Sequence, residues 1–364
     1  MSRKLSYDMI LFATATLIVV VGLVMIYSAS AMIATQRFGH GPYFFLMRQV
    51  AFLVAGAVLM LFLMHLNPAV LQNRRVIYGS LALVALGLVI ALFQSPINGT
   101  HRWVQLPWMQ LQPSEFAKPA IIVFLASFLA RREERINDLT TTLLPLGFVL
   151  TLIAGLILLG RDFGTASTIV LVAAAMIFAA GLAWRYVAMC AFALVPAGLY
   201  FALSAAYRRE RVLTFLNPEA DPFDKGFQAM QSLIALGTGG FGGLGIGNGS
   251  QKLFFLPEPH TDFIFSIIGE ELGFVGAVVL IGAFALLAWR GFRIVRESQN
   301  RFAFYAALGC TLMLAIQALI NISVTVCLLP TKGLPLPLVS YGGSSLLASL
   351  MAVGLLLNFS QQSN

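Results

Sequence analysis

In FFLPEPHTDFIF, Phe254 to Phe265, three ionisable side chains, Glu258, His260 and Asp262, stand at alternate positions directly before a long apolar run. A carboxylate at such a threshold admits two readings. Thr261 or Asp262 can cap the helix that the apolar run predicts. Alternatively the cluster does chemistry, with one carboxylate as general base beside cations that anchor a phosphate-bearing substrate. Glu270 and Glu271 follow two turns deeper, where an ionised group is costly and by default functional.

The cations come from other stretches. In NGTHRWVQLPWMQLQPSEFAKPA, Asn98 to Ala120, Pro113 fits the first turn of a helix and Glu115 its electropositive end. Glu115 and Lys118, three apart, share a helix face and can pair. Lys118 heads an unbroken apolar run, so it is expected to point into a protein cavity and not into lipid. In LLPTKGLPLPLVSYGGSS, Leu328 to Ser345, three prolines exclude a regular helix. Irregular backbone at membrane depth survives only when covered by protein or lining a cavity, which makes Lys332, Ser340 and Tyr341 candidates for the cavity wall. Arg102 and Lys252, on the loops that carry these motifs, join Glu258 and His260 as substrate-binding candidates. In GRDFGTAS, Gly160 to Ser167, Asp162 reads as an N-cap, and an Arg161–Asp162 pair would be structural.

Other chemistries find less support. No His, Cys and carboxylate set has the spacing of a zinc site, and no serine has an evident histidine partner. Gly237-x-Gly239-x-x-Gly242 matches a dinucleotide fingerprint in form, but it follows no strand and opens no βαβ unit. The glycines from 237 to 249 are better suited to folding the loop tightly against the outer membrane surface, or to bringing backbone amides to an anionic ligand.

The elements that must position these residues are membrane helices. The chain has 364 residues, 59% hydrophobic and 10% charged, with a mean hydropathy of +0.86. Soluble domains carry about 25% charged residues, and repeated apolar runs of this length span bilayers. About ten spans are expected, at 9–33, 43–65, 75–93, 115–131, 141–160, 163–182, 184–204, 263–289, 303–327 and 337–358, giving an all-α polytopic membrane protein. The chain is read as a single integral domain, 1–364, with a large outer loop, about 205–262, between the seventh and eighth helices. The first apolar stretch is too long for a cleavable signal peptide. Cys190, Cys310 and Cys327, odd in number and inside apolar runs, predict no disulfide framework.

The net charge of +8 invites a nucleic-acid reading until the basic residues are placed in short loops at helix ends, so no nucleic-acid partner is expected. With the N-terminus inside, the inner segments hold twelve Lys and Arg against six on the outer side, with the long 205–262 loop set aside. That bias puts both termini in the cytoplasm and every motif-bearing loop outside.

The motifs, taken together, resemble the SEDS family of bacterial cell-wall polymerases, the FtsW/RodA type. They are NG-x-x-RW at Asn98 to Trp103, QPSE-x-x-K at Gln112 to Lys118 and DFGT at Asp162 to Thr165. FLNP-x-x-DP at Phe215 to Pro222, GxGxGN at Gly243 to Asn248 and LPE-x-HTDFIF at Leu256 to Phe265 follow. EELG at Glu270 to Gly273 and GLPLPLVSYGGSS at Gly333 to Ser345 complete a match that covers nearly the whole chain. Two positions depart from the pattern: Gln110, where some members carry a basic residue, and Arg161, where a proline is usual.

The resemblance implies ten helices in the bacterial inner membrane and an outward-facing site that polymerises lipid II into glycan strands. Asp262, matching the family's essential aspartate, would deprotonate the acceptor sugar's 4-hydroxyl for attack on the donor anomeric carbon, with inversion and loss of undecaprenyl pyrophosphate. Lys118 and Lys332 would stabilise that leaving group. No cofactor is fixed by the resemblance; a divalent cation, Mg or Mn, is the one candidate. Implied partners are a class B penicillin-binding protein transpeptidase and proteins of the divisome or elongasome. PTKG with Lys332 and FLNPEADP resemble the division branch, FtsW, more than the elongation branch, RodA. A lipid II flippase, or a scaffold for the division machinery, stands as the rival from another functional class.

Overall fold

The computed structural model describes residues 7–361, apart from 98, 108, 190–191, 193–195, 197–225, 254 and 331–332. The helices are α1 (Met9–Gln36), α2 (Phe44–His65), α3 (Pro68–Leu71), α4 (Arg74–Phe93), α5 (Pro113–Arg132), α6 (Leu144–Leu159) and α7 (Phe163–Ala179). After the gap come α8 (Phe227–Gly239), α9 (Ile264–Glu297), α10 (Arg301–Thr325) and α11 (Gly343–Ser360). Among the described residues eight helical stretches are long and apolar enough to cross a bilayer, and α7 is a shorter apolar helix. The chain is an all-α polytopic membrane protein. Helical residues 184–189 open the expected seventh span, and most of that span lies outside the described residues, as does the FLNP-x-x-DP motif.

Burial sorts the helices into an inner and an outer set. Of the apolar stretch, 78% is buried in α5, 72% in α10 and 83% in α11, against 22% in α2 and 28% in α4. The inner three therefore face protein on most sides and have most room for polar side chains away from lipid. The expected last span from 337 is shorter than read: residues 337–342 are non-helical and α11 begins at Gly343. Pro335 and Pro337 deny that segment a helix, so its backbone groups are tied to side chains of neighbouring helices.

α9 is broken at Gly273, whose φ of 68° is a left-handed conformation outside the helical range. The break leaves backbone groups unpaired, and the glycine-rich loop supplies their partners. Leu244 N donates to Glu270 O at 3.0 Å and Gly245 N to Glu271 O at 2.9 Å, while Phe274 N donates to Gly240 O at 2.9 Å. Gly273 is nine residues past the start of α9, so the loop reaches about 14 Å along the helix axis at 1.5 Å per residue. The loop thus enters the protein between helices, where the sequence suggested a fold against the outer surface. Its amides do meet an anion, and the anion is the chain's own: Gly247 N donates to Glu271 Oε2 at 3.1 Å, and Ser250 N to Glu270 Oε1 at 2.7 Å.

The segment 94–112 also carries a two-stranded antiparallel ribbon, β1 (Val104–Gln105) with β2 (Gln110–Leu111), which delivers the chain to the start of α5.

Candidate active site

Asp262 sits just before α9, whose N-cap is Phe263 with no side-chain capping bond. Neither Thr261 nor Asp262 caps the helix, so the bland reading of the HTDF carboxylate is removed. Thr261 instead donates its hydroxyl to Glu258 O at 3.2 Å, closing a turn in which Glu258 takes φ 52°. The Asp262 backbone is pinned from the other side: Asn321 Nδ2, on α10, donates to Asp262 O at 2.9 Å and to Leu334 O at 2.7 Å.

A point on Gly333 where a side chain would begin lies 3.3 Å from Asp262 Oδ2 and 3.6 Å from an Arg102 guanidinium nitrogen. The carboxylate and the guanidinium thus share one small space, and Gly333 leaves it open. Burial pushes the Asp262 carboxyl up to about 7; the Arg102 charge opposes this, and Glu258 and Asp162 reinforce it. A carboxylate that titrates near neutrality has the basicity a general base needs while remaining ionised in a large fraction of molecules. His260 is held below its usual range by burial, against the pull of Glu258, so its imidazole is neutral at pH 7, and its Nδ1 is buried without a hydrogen-bond partner.

The segment 333–342 ties this site together. Ser340 Oγ donates to Thr261 O at 2.6 Å and accepts from Leu336 N at 2.8 Å. Tyr341 N donates to His260 O at 2.9 Å, and the His260 ring sits among Phe45 and Tyr341, with centroids 4.8 and 5.5 Å away. Gln49, on α2, closes the far side, donating to Ser340 O and accepting from Gly342 N, both at 3.2 Å. Ser340 and Tyr341 therefore hold the loop that carries His260 and Asp262.

Glu115 and Lys118 pair at 2.7 Å on the first turns of α5, both almost fully buried, as their spacing predicted. Lys118 Nζ also donates to Gln317 Oε1 at 2.7 Å, and Gln317 Nε2 donates to Pro335 O at 2.9 Å. Gln317 and Asn321 are one turn apart on α10, so two amides carry the connection from Lys118 through residues 334–335 to Asp262. Asp162 caps α7 as expected, taking Thr165 N at 3.2 Å. It does not turn toward Arg161, whose guanidinium donates to Gly99 O at 3.2 Å. Its second oxygen accepts from Gln112 Nε2 at 2.8 Å and Ser114 Oγ at 2.7 Å.

Lys252 is elsewhere. It is buried in an ion pair with Glu271 at 2.5 Å and donates to Ser28 at 2.9 Å, locking the glycine-rich loop to α1 and α9. Lys332 lies outside the described residues. Cys310 and Cys327 are free; Cys190 is not among the described residues. No group of three His, Cys, Asp or Glu is disposed to hold a metal ion among the described residues. Single-sequence reading missed the roles of Gln49, Gln317 and Asn321, where the signal open to it was an amide inside an otherwise apolar helix, and of Gln112, which stands just before α5.

The sequence model of FtsW, RodA and SpoVE proteins, described as "Cell cycle protein", matches residues 8–364. The chain belongs to this family. Within it, the chain is 43% identical over 360 residues to a protein of Trichlorobacter lovleyi named "Probable peptidoglycan glycosyltransferase FtsW", covering 98% of this chain and 94% of the relative. It is 38% identical to the stage V sporulation protein E of Bacillus subtilis, covering 100% and 99%. Among solved structures, a chain described under "Structural coordination of polymerization and crosslinking by a peptidoglycan synthase complex" superposes with a TM-score of 0.80 at 32% identity over 98% of both chains. The rod shape determining protein RodA of Thermus thermophilus gives 0.72 at 29% identity, over 99% of this chain and 98% of that one.

Proposed function

We propose that this FtsW/RodA/SpoVE family member is a peptidoglycan glycosyltransferase that polymerises lipid II, with Asp262 as general base. One observation carries the reading: an uncapped, half-buried carboxylate beside Arg102, raised to about 7 and pinned at its backbone by Asn321. In the proposed step Asp262 takes the proton of the acceptor sugar's 4-hydroxyl. The freed oxygen forms a bond to the donor anomeric carbon from the face opposite the leaving group. The bond from that carbon to undecaprenyl pyrophosphate breaks, and configuration inverts. Such a base contributes about 10²–10⁴-fold. Arg102 and Lys118 stand as cations for the pyrophosphate, and Lys332 joins them by the sequence argument. A Mg or Mn ion is proposed only as a companion of the pyrophosphate, with no step assigned to it.

Relatives named FtsW at about 40% identity, with PTKG and FLNPEADP, support septal synthesis over elongation. A class B penicillin-binding protein is the proposed partner, on the strength of the synthase complex that the fold matches. The excess of basic residues on one side supports an inner-membrane placement with both termini cytoplasmic and Asp262 facing outward. Purified protein with such a transpeptidase, given lipid II in detergent, is expected to produce glycan strands. Translocation of labelled lipid II across proteoliposomes without polymer would favour the flippase.

A further inference from the structure

At the end of the bundle opposite Asp262, where α4 begins and α5 ends, a cavity of about 170 Å³ opens between the two helices. Three guanidinium-bearing side chains, Arg74, Arg131 and Arg132, converge on it, and its floor includes buried Ser127. Arg131 donates one nitrogen to Gln72 O at 3.0 Å, and Arg132 lies over the Phe128 ring at 4.9 Å. Among the described residues none of the three pairs with a carboxylate; the adjacent Glu133 is taken by Arg301 at 3.1 Å. Three like charges around one cleft repel unless an anion sits among them, and a phosphate offers acceptors suited to guanidinium groups.

The surroundings say which kind of phosphate. Tyr78, at the wall, is 55% exposed, and Ala82, Ala85 and Val89 continue up the same side of α4, exposed or half-buried. Their spacing from Tyr78 places them along one helix face, an apolar track leading out of the basic cleft. A soluble anion would use only the cleft, whereas a phospholipid would use both. With the termini cytoplasmic, the cleft opens at the headgroup level of the inner leaflet, where anionic lipids gather basic side chains. We infer that Arg74, Arg131 and Arg132 form a binding site for the phosphate of an anionic phospholipid, whose acyl chain lies along α4.

The full-length protein in detergent, titrated with phosphatidylglycerol and followed by native mass spectrometry, tests this. Each guanidinium hydrogen-bonded directly to the phosphate is worth about tenfold in affinity, so the triple variant R74Q/R131Q/R132Q should bind phosphatidylglycerol more than about tenfold more weakly. A control triple of equal charge loss at the same end, R135Q/R185Q/R296Q, should bind as the parent does. Ser127→Leu, which fills the floor without removing charge, should weaken binding as well. Phosphatidylcholine should bind poorly, and excess inorganic phosphate should not displace the lipid. Equal loss in both triples would show diffuse charge attraction and overturn the site. Full displacement by inorganic phosphate would overturn the lipid assignment in favour of a free anion. Unchanged binding in R74Q/R131Q/R132Q and in Ser127→Leu would overturn both.

Discussion

Replacing Arg102 by Gln should move the pH dependence of polymerisation, and the structure sets by how much. The Asp262 oxygen and the Arg102 nitrogen each lie within 3.6 Å of one point at Gly333, so they are within about 7 Å of each other. At an effective dielectric of about 20, unit charges at that separation attract by about 2.4 kcal/mol, and in bulk water by about 0.6 kcal/mol. One pKa unit is about 1.4 kcal/mol, so the cation holds the carboxyl down by about 0.4 to 1.7 units, or about one. In the parent, Asp262 titrates at about 7, and polymerisation should rise with pH through a midpoint near there. Without Arg102 the carboxylate loses a stabilising charge, its pKa rises, and the rising limb moves to about 8. At pH 7 the deprotonated fraction then falls from about a half to about a tenth, a roughly fivefold pH-dependent loss that is regained near pH 9, on top of the pH-independent loss of a pyrophosphate cation. The assay is the initial rate of polymerisation from saturating lipid II between pH 5.5 and 9.5. A uniform loss at every pH, with the midpoint unmoved, would refute the electrostatic link between Arg102 and Asp262.

Three further substitutions probe the scaffold. Asn321→Leu leaves the carbonyls of Asp262 and Leu334 without their amide donor, at about 1–3 kcal/mol for each group that is left dry. Thermal unfolding should drop accordingly, and kcat should fall more than KM changes. Glu271→Gln strands buried Lys252 and should destabilise by about 3–5 kcal/mol, whereas the double variant Lys252→Met/Glu271→Leu should cost far less than the two single changes summed, which a double-mutant cycle in detergent would read directly. Gly273→Ala sets a Cβ into the backbone of Gly243 at a φ of 68°, so the re-entrant loop must separate from α9 and the melting temperature should fall steeply.

Much of the site was legible because its chemistry is local. Asp262 stands at a helix threshold, Pro113 and Glu115 open α5, and Lys118 pairs one turn on; each follows from spacing within a few residues. The spans were legible because lipid demands long apolar runs, and the observed α1, α2, α4, α5 and α10 begin and end within a few residues of expectation. What escaped were partnerships across the chain. Glu270 and Glu271 looked like intramembrane functional acids, and the glycine-rich loop looked like a cradle for an anion. Neither feature alone reveals that one serves the other, because their pairing depends on the break at Gly273. Lys252 shares that fate, since its counter-charge comes from α9 and its hydroxyl partner from Ser28, 224 positions away. Asn321 is one of two amides in an apolar helix, and only the folded chain shows that it holds both the Asp262 backbone and the segment after Gly333.

The most direct test of the central claim is polymerisation of lipid II by the complex carrying Asp262→Asn, at pH 8 and with its melting temperature checked against the parent. The substitution keeps shape and polarity and removes only the basicity. The account predicts a folded, lipid II-binding protein whose polymerisation rate falls by about 10²-fold or more. A rate within a few-fold of the parent would show that Asp262 is not the base.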